Sequence, residues 1–75
     1  MRSEMPARRQ FATNLRARRG ELGFSQEALA QMSGLDRTTI SLLERSLRSP
    51  TLDTIVALAR ALQLAAPSAL LDGVD

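Results

Sequence analysis

Ser25-Gln26-Glu27-Ala28-Leu29-Ala30-Gln31-Met32-Ser33-Gly34-Leu35-Asp36-Arg37-Thr38-Thr39-Ile40-Ser41-Leu42-Leu43-Glu44 is the stretch that decides the fold. It reads as two short helices joined by a tight turn at Gly34. Ser25 is an N-cap residue, Glu27 an acid near the positive end of the helix dipole, and Leu29 and Ala30 open an apolar face. Gly34 ends this first helix, expected over about residues 25–33, because glycine enters the left-handed C′ conformation without a Cβ penalty. Asp36 is placed to cap a second helix, expected over about 36–45, whose apolar positions Ile40, Leu43 and Leu47 share one stripe. Ala30 is small enough to let two helices cross closely over the turn. The pattern predicts a helix-turn-helix.

On the N-terminal side, residues 1–7 have no periodicity and contain Pro6, which predicts a flexible arm; a basic arm reaching toward a partner is the alternative. The domain proper is expected over residues 8–75. Its first helix should run from Arg8 or Arg9 to about Leu22, with Phe11, Leu15, Arg18, Arg19 and Leu22 near one face. Gly23 breaks that helix and Phe24 is expected to plug the core. On the C-terminal side, Pro50 closes a polar loop, Thr51 caps a fourth helix, and Asp53 lies in its favourable first turn. Leu52, Ile55, Leu58, Ala59 and Leu62 then form a core stripe. A short fifth helix should start with Pro67 at its first position and stop at Gly73. The expected fold is an all-α, five-helix bundle.

Seventy-five residues make one domain with one small core. Two Phe are the only aromatics, so Leu, Ile, Val and Ala must fill it. With no Cys there is neither a disulfide framework nor a thiolate metal site. No apolar run approaches a membrane span and nothing resembles a signal peptide, so the expected location is the cytoplasm. The net charge is +2, yet the isoelectric point is near 11.0, because no Lys, His, Cys or Tyr side chain titrates between the carboxylates and arginine. Distribution says more than the total. Arg2, Arg8, Arg9, Arg16, Arg18 and Arg19 are balanced only by Glu4 in the first nineteen residues, whereas beyond residue 48 Arg60 faces Asp53, Asp72 and Asp75. One end is electropositive, as a phosphate-binding surface would be. All ten basic residues are Arg. Their guanidinium forks suit bidentate contacts to phosphate or guanine, and genome composition explains the choice equally well.

Enzymatic chemistry has few carriers here. Without His and Cys, the common general bases, nucleophiles and soft metal ligands are missing. Glu21, Glu27, Asp36, Glu44, Asp53 and Asp72 are scattered and better explained by caps, helix ends or an ion pair. No catalytic residue, metal site, cofactor or small-molecule ligand is expected.

Gln26-Glu27-x-Leu29-Ala30, then Gly34, then Ile40-Ser41-x-x-Glu44 resembles the phage-repressor (Cro/repressor-type, XRE-like) helix-turn-helix family. The likeness continues through 49–55 and 58–62, covering roughly residues 10 to 73. Leu35-Asp36-Arg37-Thr38-Thr39-Ile40-Ser41 also resembles the restriction–modification controller branch of that family. The resemblance implies a lambda-repressor-like fold and a homodimer that binds double-stranded DNA with two-fold-related half-sites and regulates transcription. It further implies an ion pair between Arg19 and Glu44. Placing Ile40 toward the core puts Thr38, Leu42 and Arg45 on the outward side at 100° per residue. Thr38 and Leu42 on that side, Arg37 in the helix's first turn, and Ser41 are the candidate base-reading residues, Leu42 being either a thymine-methyl contact or an incidental surface leucine. Gln26, Arg16, Arg45 and Arg48 are the candidate phosphate contacts, with a plain solvated face as the alternative for the arginines. Leu64, Leu70, Leu71 and Val74 are more apolar side chains than the end of so small a chain can cover, which predicts a two-fold interface there. The rival reading is a protein-interaction adaptor that keeps the fold without binding DNA; it would show an apolar patch where Arg37, Thr38 and Arg45 stand.

Overall fold

The computed structural model describes residues 4–74, with side chains from residue 7 onward. Its elements are α1 (Glu4–Glu21), α2 (Gln26–Ser33), α3 (Arg37–Glu44), α4 (Leu52–Ala61) and a 3-10 helix (Pro67–Leu71). No strand occurs among the described residues. The expected five-helix count is thus corrected to four α-helices and one 3-10 helix. The cause is local: Ala66 enters that last element with no side-chain cap bond, and five residues are too few to repay α-helix nucleation.

The first helix begins at Glu4, four residues before the expected start. Pro6 falls within the first turn, where a missing N–H costs nothing because those donors have no intrahelical acceptor. Residues 4–7 therefore belong to α1, and residues 1–3 of the expected arm lie outside the described residues.

The remaining helix ends follow local chemistry. Ser25 Oγ accepts from the Ala28 N–H at 3.0 Å, and Thr51 Oγ1 from the Thr54 N–H at 3.1 Å. Gly34 has φ 77°, and its N–H closes α2 on the Ala30 carbonyl. Asp36 has the extended backbone of an N-cap but makes no side-chain cap bond, so that part of its expected role is not realised. Helices α1, α3 and α4 end alike, on paired reverse bonds such as Ser46 N–H to Leu43 O with Leu47 N–H to Leu42 O. The left-handed residue is Gly23 after α1, Ser46 after α3 and Gln63 after α4.

The core comprises Phe11 and Leu15 from α1, Leu29 and Ala30 from α2, Ile40 and Leu43 from α3, Leu58 and Ala59 from α4, and Leu62 and Leu70 beyond it. Phe24 packs against its edge, with Leu22, Leu35, Ile55, Ala61 and Leu64. Two expected core leucines are not in it. Leu47 is 59% exposed, because the left-handed turn at Ser46 ends α3 before the stripe reaches it. Leu52 is 75% exposed, because it is the first residue of α4 and precedes the part of the helix that crosses the core.

Candidate nucleic-acid interface

Helix α3 has eight residues, of which Ile40, Leu43 and Glu44 are buried. Glu44 is the exceptional one, a carboxylate whose side chain is 3% exposed. Arg19 Nε donates to its Oε2 at 2.6 Å and Arg19 Nη2 to its Oε1 at 2.9 Å, the fork-to-fork geometry that guanidinium and carboxylate share. Gln26 Nε2 adds a third donor to Oε1 at 3.0 Å, and Arg19 Nη1 also bonds the Phe24 carbonyl at 2.8 Å. One carboxylate therefore ties α3 to both α1 and α2. The Glu44 hydrogen bond holds the Arg19 guanidinium above the ordinary arginine pKa, against the opposing effect of burial, with the attraction of the Glu44 charge adding to it.

With the inner face so held, Arg37 and Thr38 stand exposed at the N-terminal turn of α3, while Ser41 and Leu42 are half-buried along its flank. Arg45 is exposed at the helix end. Arg48 is also exposed but turns back, its Nη1 3.4 Å from Thr39 Oγ1. Arg16 is exposed on α1. Gln26 differs from the other candidate phosphate contacts, because its amide is engaged with Glu44.

The expected two-fold surface is divided. Leu70 is 1% exposed within its own chain's core, which removes it from any interface. The 3-10 geometry turns it inward beneath α1 and α4. Leu64 packs against the core as well. Leu71, at 38% exposed, and Val74 remain at the surface, around a mainly apolar cavity of about 190 Å³ that Ala7, Phe11 and Pro50 also line, with Arg8 and Ser49 at its wall.

Three residues of α1 make contacts that the sequence reading did not assign. Arg18 Nε donates to Leu62 O at 2.9 Å and its Nη2 to Gln63 O at 3.3 Å, capping the end of α4. Asn14 Nδ2 donates to Leu70 O and Asp72 O, and Gln10 Nε2 donates to Asn14 Oδ1. The available signal was the four-residue spacing of Gln10, Asn14 and Arg18, a polar ladder beside the Phe11–Leu15 stripe.

The sequence pattern of the Helix-turn-helix family (HTH_3) matches residues 15–67. The chain belongs to this family. It is 45% identical over 60 residues to control protein C.SmaI of Serratia marcescens, covering 80% of this chain and 71% of that one. Among solved structures, the restriction–modification controller protein C.AhdI from Aeromonas hydrophila has a TM-score of 0.80 at 41% identity, covering 84% of this chain and 94% of that one. The P22 c2 repressor in complex with a synthetic operator has a TM-score of 0.76 at 40% identity, over 84% of this chain and 94% of that one. These relatives of the helix-turn-helix family are named as a control protein, a controller and a repressor.

Proposed function

We propose that this chain is a sequence-specific regulator of transcription that binds double-stranded DNA as a homodimer. The observation that carries the reading is the division of α3: Ile40, Leu43 and Glu44 are buried, Arg37 and Thr38 face solvent at its first turn, and exposed Arg45 and Arg48 follow it. A helix presented this way meets base edges with its N-terminal residues while flanking arginines meet phosphates. The P22 c2 repressor, which shares the fold at 40% identity, is described bound to an operator. Apart from the half-buried Leu42, the outward residues Arg37, Thr38 and Arg45 are basic or polar, which disfavours the adaptor reading.

Two copies are needed for specificity. Eight residues span about 12 Å, enough to read only a few base pairs. Two recognition helices about 34 Å apart would read two half-sites one duplex turn apart. Of the expected C-terminal apolar set, Leu71 and Val74 remain at the surface, and we assign them to that association. The likeness to two controller proteins favours a role beside restriction–modification genes, in the cytoplasm. Among the described residues no helix is long and apolar enough to cross a membrane.

The test is selection of bound sites from random duplex DNA, followed by binding of variants to selected and scrambled duplexes at several salt concentrations. Arg37→Ala should cost about 1–3 kcal/mol on the selected site and relax preference at one guanine per half-site. Arg48→Ala should weaken all duplexes alike and flatten the salt dependence by roughly one contact. Equal loss on both duplexes for Arg37→Ala would assign Arg37 to the backbone. Failure to enrich any sequence would overturn the reading.

A further inference from the structure

The C-terminal turn is held by α1 through polar contacts of one sense. Asn14 directs both hydrogens of its amide onto backbone carbonyls, Leu70 O at 2.9 Å and Asp72 O at 2.8 Å. Those carbonyls belong to the end of the 3-10 helix and the residue after it, where intrahelical donors have run out. Gln10 Nε2 donates to Asn14 Oδ1 at 3.0 Å, which fixes which end of the Asn14 amide faces the turn. The turn is fitted to this clasp. Gly73 has φ 83°, and a Cβ there would stand 3.2 Å from the Gln10 side-chain carbonyl carbon. The clasped segment, 70–74, carries both Leu71 and Val74. Leu70 anchors it in the core, Asn14 holds the carbonyls on either side of Leu71, and Leu71 and Val74 are left facing the surface cavity with Phe11.

We propose that Asn14 is a positioning residue that sets the distance between the two recognition helices of the dimer, and with it the half-site spacing that the protein accepts. This rests on the homodimer reading above. The occupant of the Leu71–Val74 surface is a second copy of this chain, since only a second α3 extends the readout beyond a few base pairs. A two-fold contact is self-complementary, so any tilt of the 70–74 segment is applied twice, once on each side of the axis. The segment has no α-helical ladder of its own to resist tilting. The Asn14 amide, rooted in the 18-residue α1, supplies that rigidity. Asn14 itself is not placed at the DNA surface, and it acts only through the turn.

The experiment measures binding to duplexes carrying two selected half-sites at centre-to-centre spacings from about 8 to 13 base pairs, and to a single half-site, bracketing the one-turn separation. The parent protein should show one preferred spacing. Asn14→Ala should flatten that profile, losing at least ~10-fold in preference for the best spacing, with single-half-site affinity within ~2-fold. Leu58→Val, a core variant that lowers the melting temperature without touching the clasp, should keep the parent profile; loss of the profile in both variants would assign the effect to general destabilisation and overturn the proposal. Gln10→Ala, which removes the bond orienting the Asn14 amide and the side chain beside Gly73 but keeps the Asn14 amide itself, should broaden the profile by less and serves if Asn14→Ala does not fold. A sharp parent profile retained in the clasp variants overturns the positioning role and leaves the dimer standing. A parent protein with no spacing preference overturns the dimer, and this proposal with it.

Discussion

Removing the Glu44 carboxylate is the sharpest test of how α3 is held. Glu44→Ala deletes three hydrogen bonds, from Arg19 Nε, Arg19 Nη2 and Gln26 Nε2, and leaves Arg19 only its bond to Phe24 O. Breaking a fully buried ion pair costs about 3–5 kcal/mol, because the surviving charge is stranded. An exposed pair costs under ~1 kcal/mol. Here the carboxylate is at the buried limit, but the Arg19 side chain is 21% exposed and can recruit water to its freed nitrogens. The loss should therefore fall between those limits, at about 2–4 kcal/mol. At roughly 4–8 °C per kcal/mol for a domain of this size, Tm should drop by about 8–32 °C. Glu44→Gln keeps the volume and one acceptor, and should lose about half as much. Replacing both partners by leucine should cost less than the two single changes added, since no charge is stranded. Thermal melts by circular dichroism of the parent, the two Glu44 variants, the two single leucine variants and the double variant measure these costs. A Glu44→Ala variant melting within ~3 °C of the parent would refute the reasoning, because a shielded three-donor carboxylate cannot be removed that cheaply.

Three other outcomes are expected. Gln63 holds φ 60° at the end of α4, where glycine is free of the Cβ penalty, so Gln63→Gly should stabilise by about 0.5–1 kcal/mol; a lower Tm would contradict the left-handed turn. Leu70→Asp should abolish cooperative melting, whereas Leu71→Asp should leave Tm nearly unchanged and yield monomers by sedimentation; equal effects would erase the distinction between core and surface leucine. Stability should be nearly flat from about pH 7 to 10, since no side chain titrates in that window. The raised pKa of Arg19 makes its contribution complete below the ordinary arginine value and lost only as pH rises beyond the raised one. A melting temperature that falls steeply toward pH 10 would require another titrating group.

What sequence reasoning reaches here is bounded by the range of the interactions. Ser25, Gly34 and Thr51 act on backbone within a few residues, so the ends they set for α2 and α4 are legible. The Ile40 and Leu43 stripe is legible for the same reason. Leu47 was misplaced because Ser46, a residue with no glycine-like freedom, nevertheless takes a left-handed turn, closed by the Ser46 and Leu47 N–H bonds to Leu43 O and Leu42 O. Asn14 reaches carbonyls 56 and 58 residues away, and no local pattern specifies that target. Arg18 fails likewise, since a surface arginine and a helix-capping arginine look identical until the second helix is in place. Leu70 and Leu71 are adjacent apolar residues in a segment whose geometry is 3-10, so a helical wheel at 100° could not say which one turns inward.

The inner contacts of α3 also explain why its outer face is free to vary. A helix of eight residues is too short to persist in water by its own propensity. Its order comes from Ile40 and Leu43 in the core and from the Glu44 carboxylate bonded to α1 and α2. Arg37 and Thr38 contribute to none of those contacts, so changing them should alter stability by no more than about 0.5 kcal/mol. On the proposed function, stability and base preference fall to different faces of the same two turns of helix. Arg48 is the point where the separation is least complete, because its guanidinium reaches back to Thr39 on α3. A substitution at Thr39, a half-buried residue, would therefore free Arg48. If Arg48 meets phosphate as proposed, that change should alter the salt dependence of binding while leaving Arg37 and Thr38 in place.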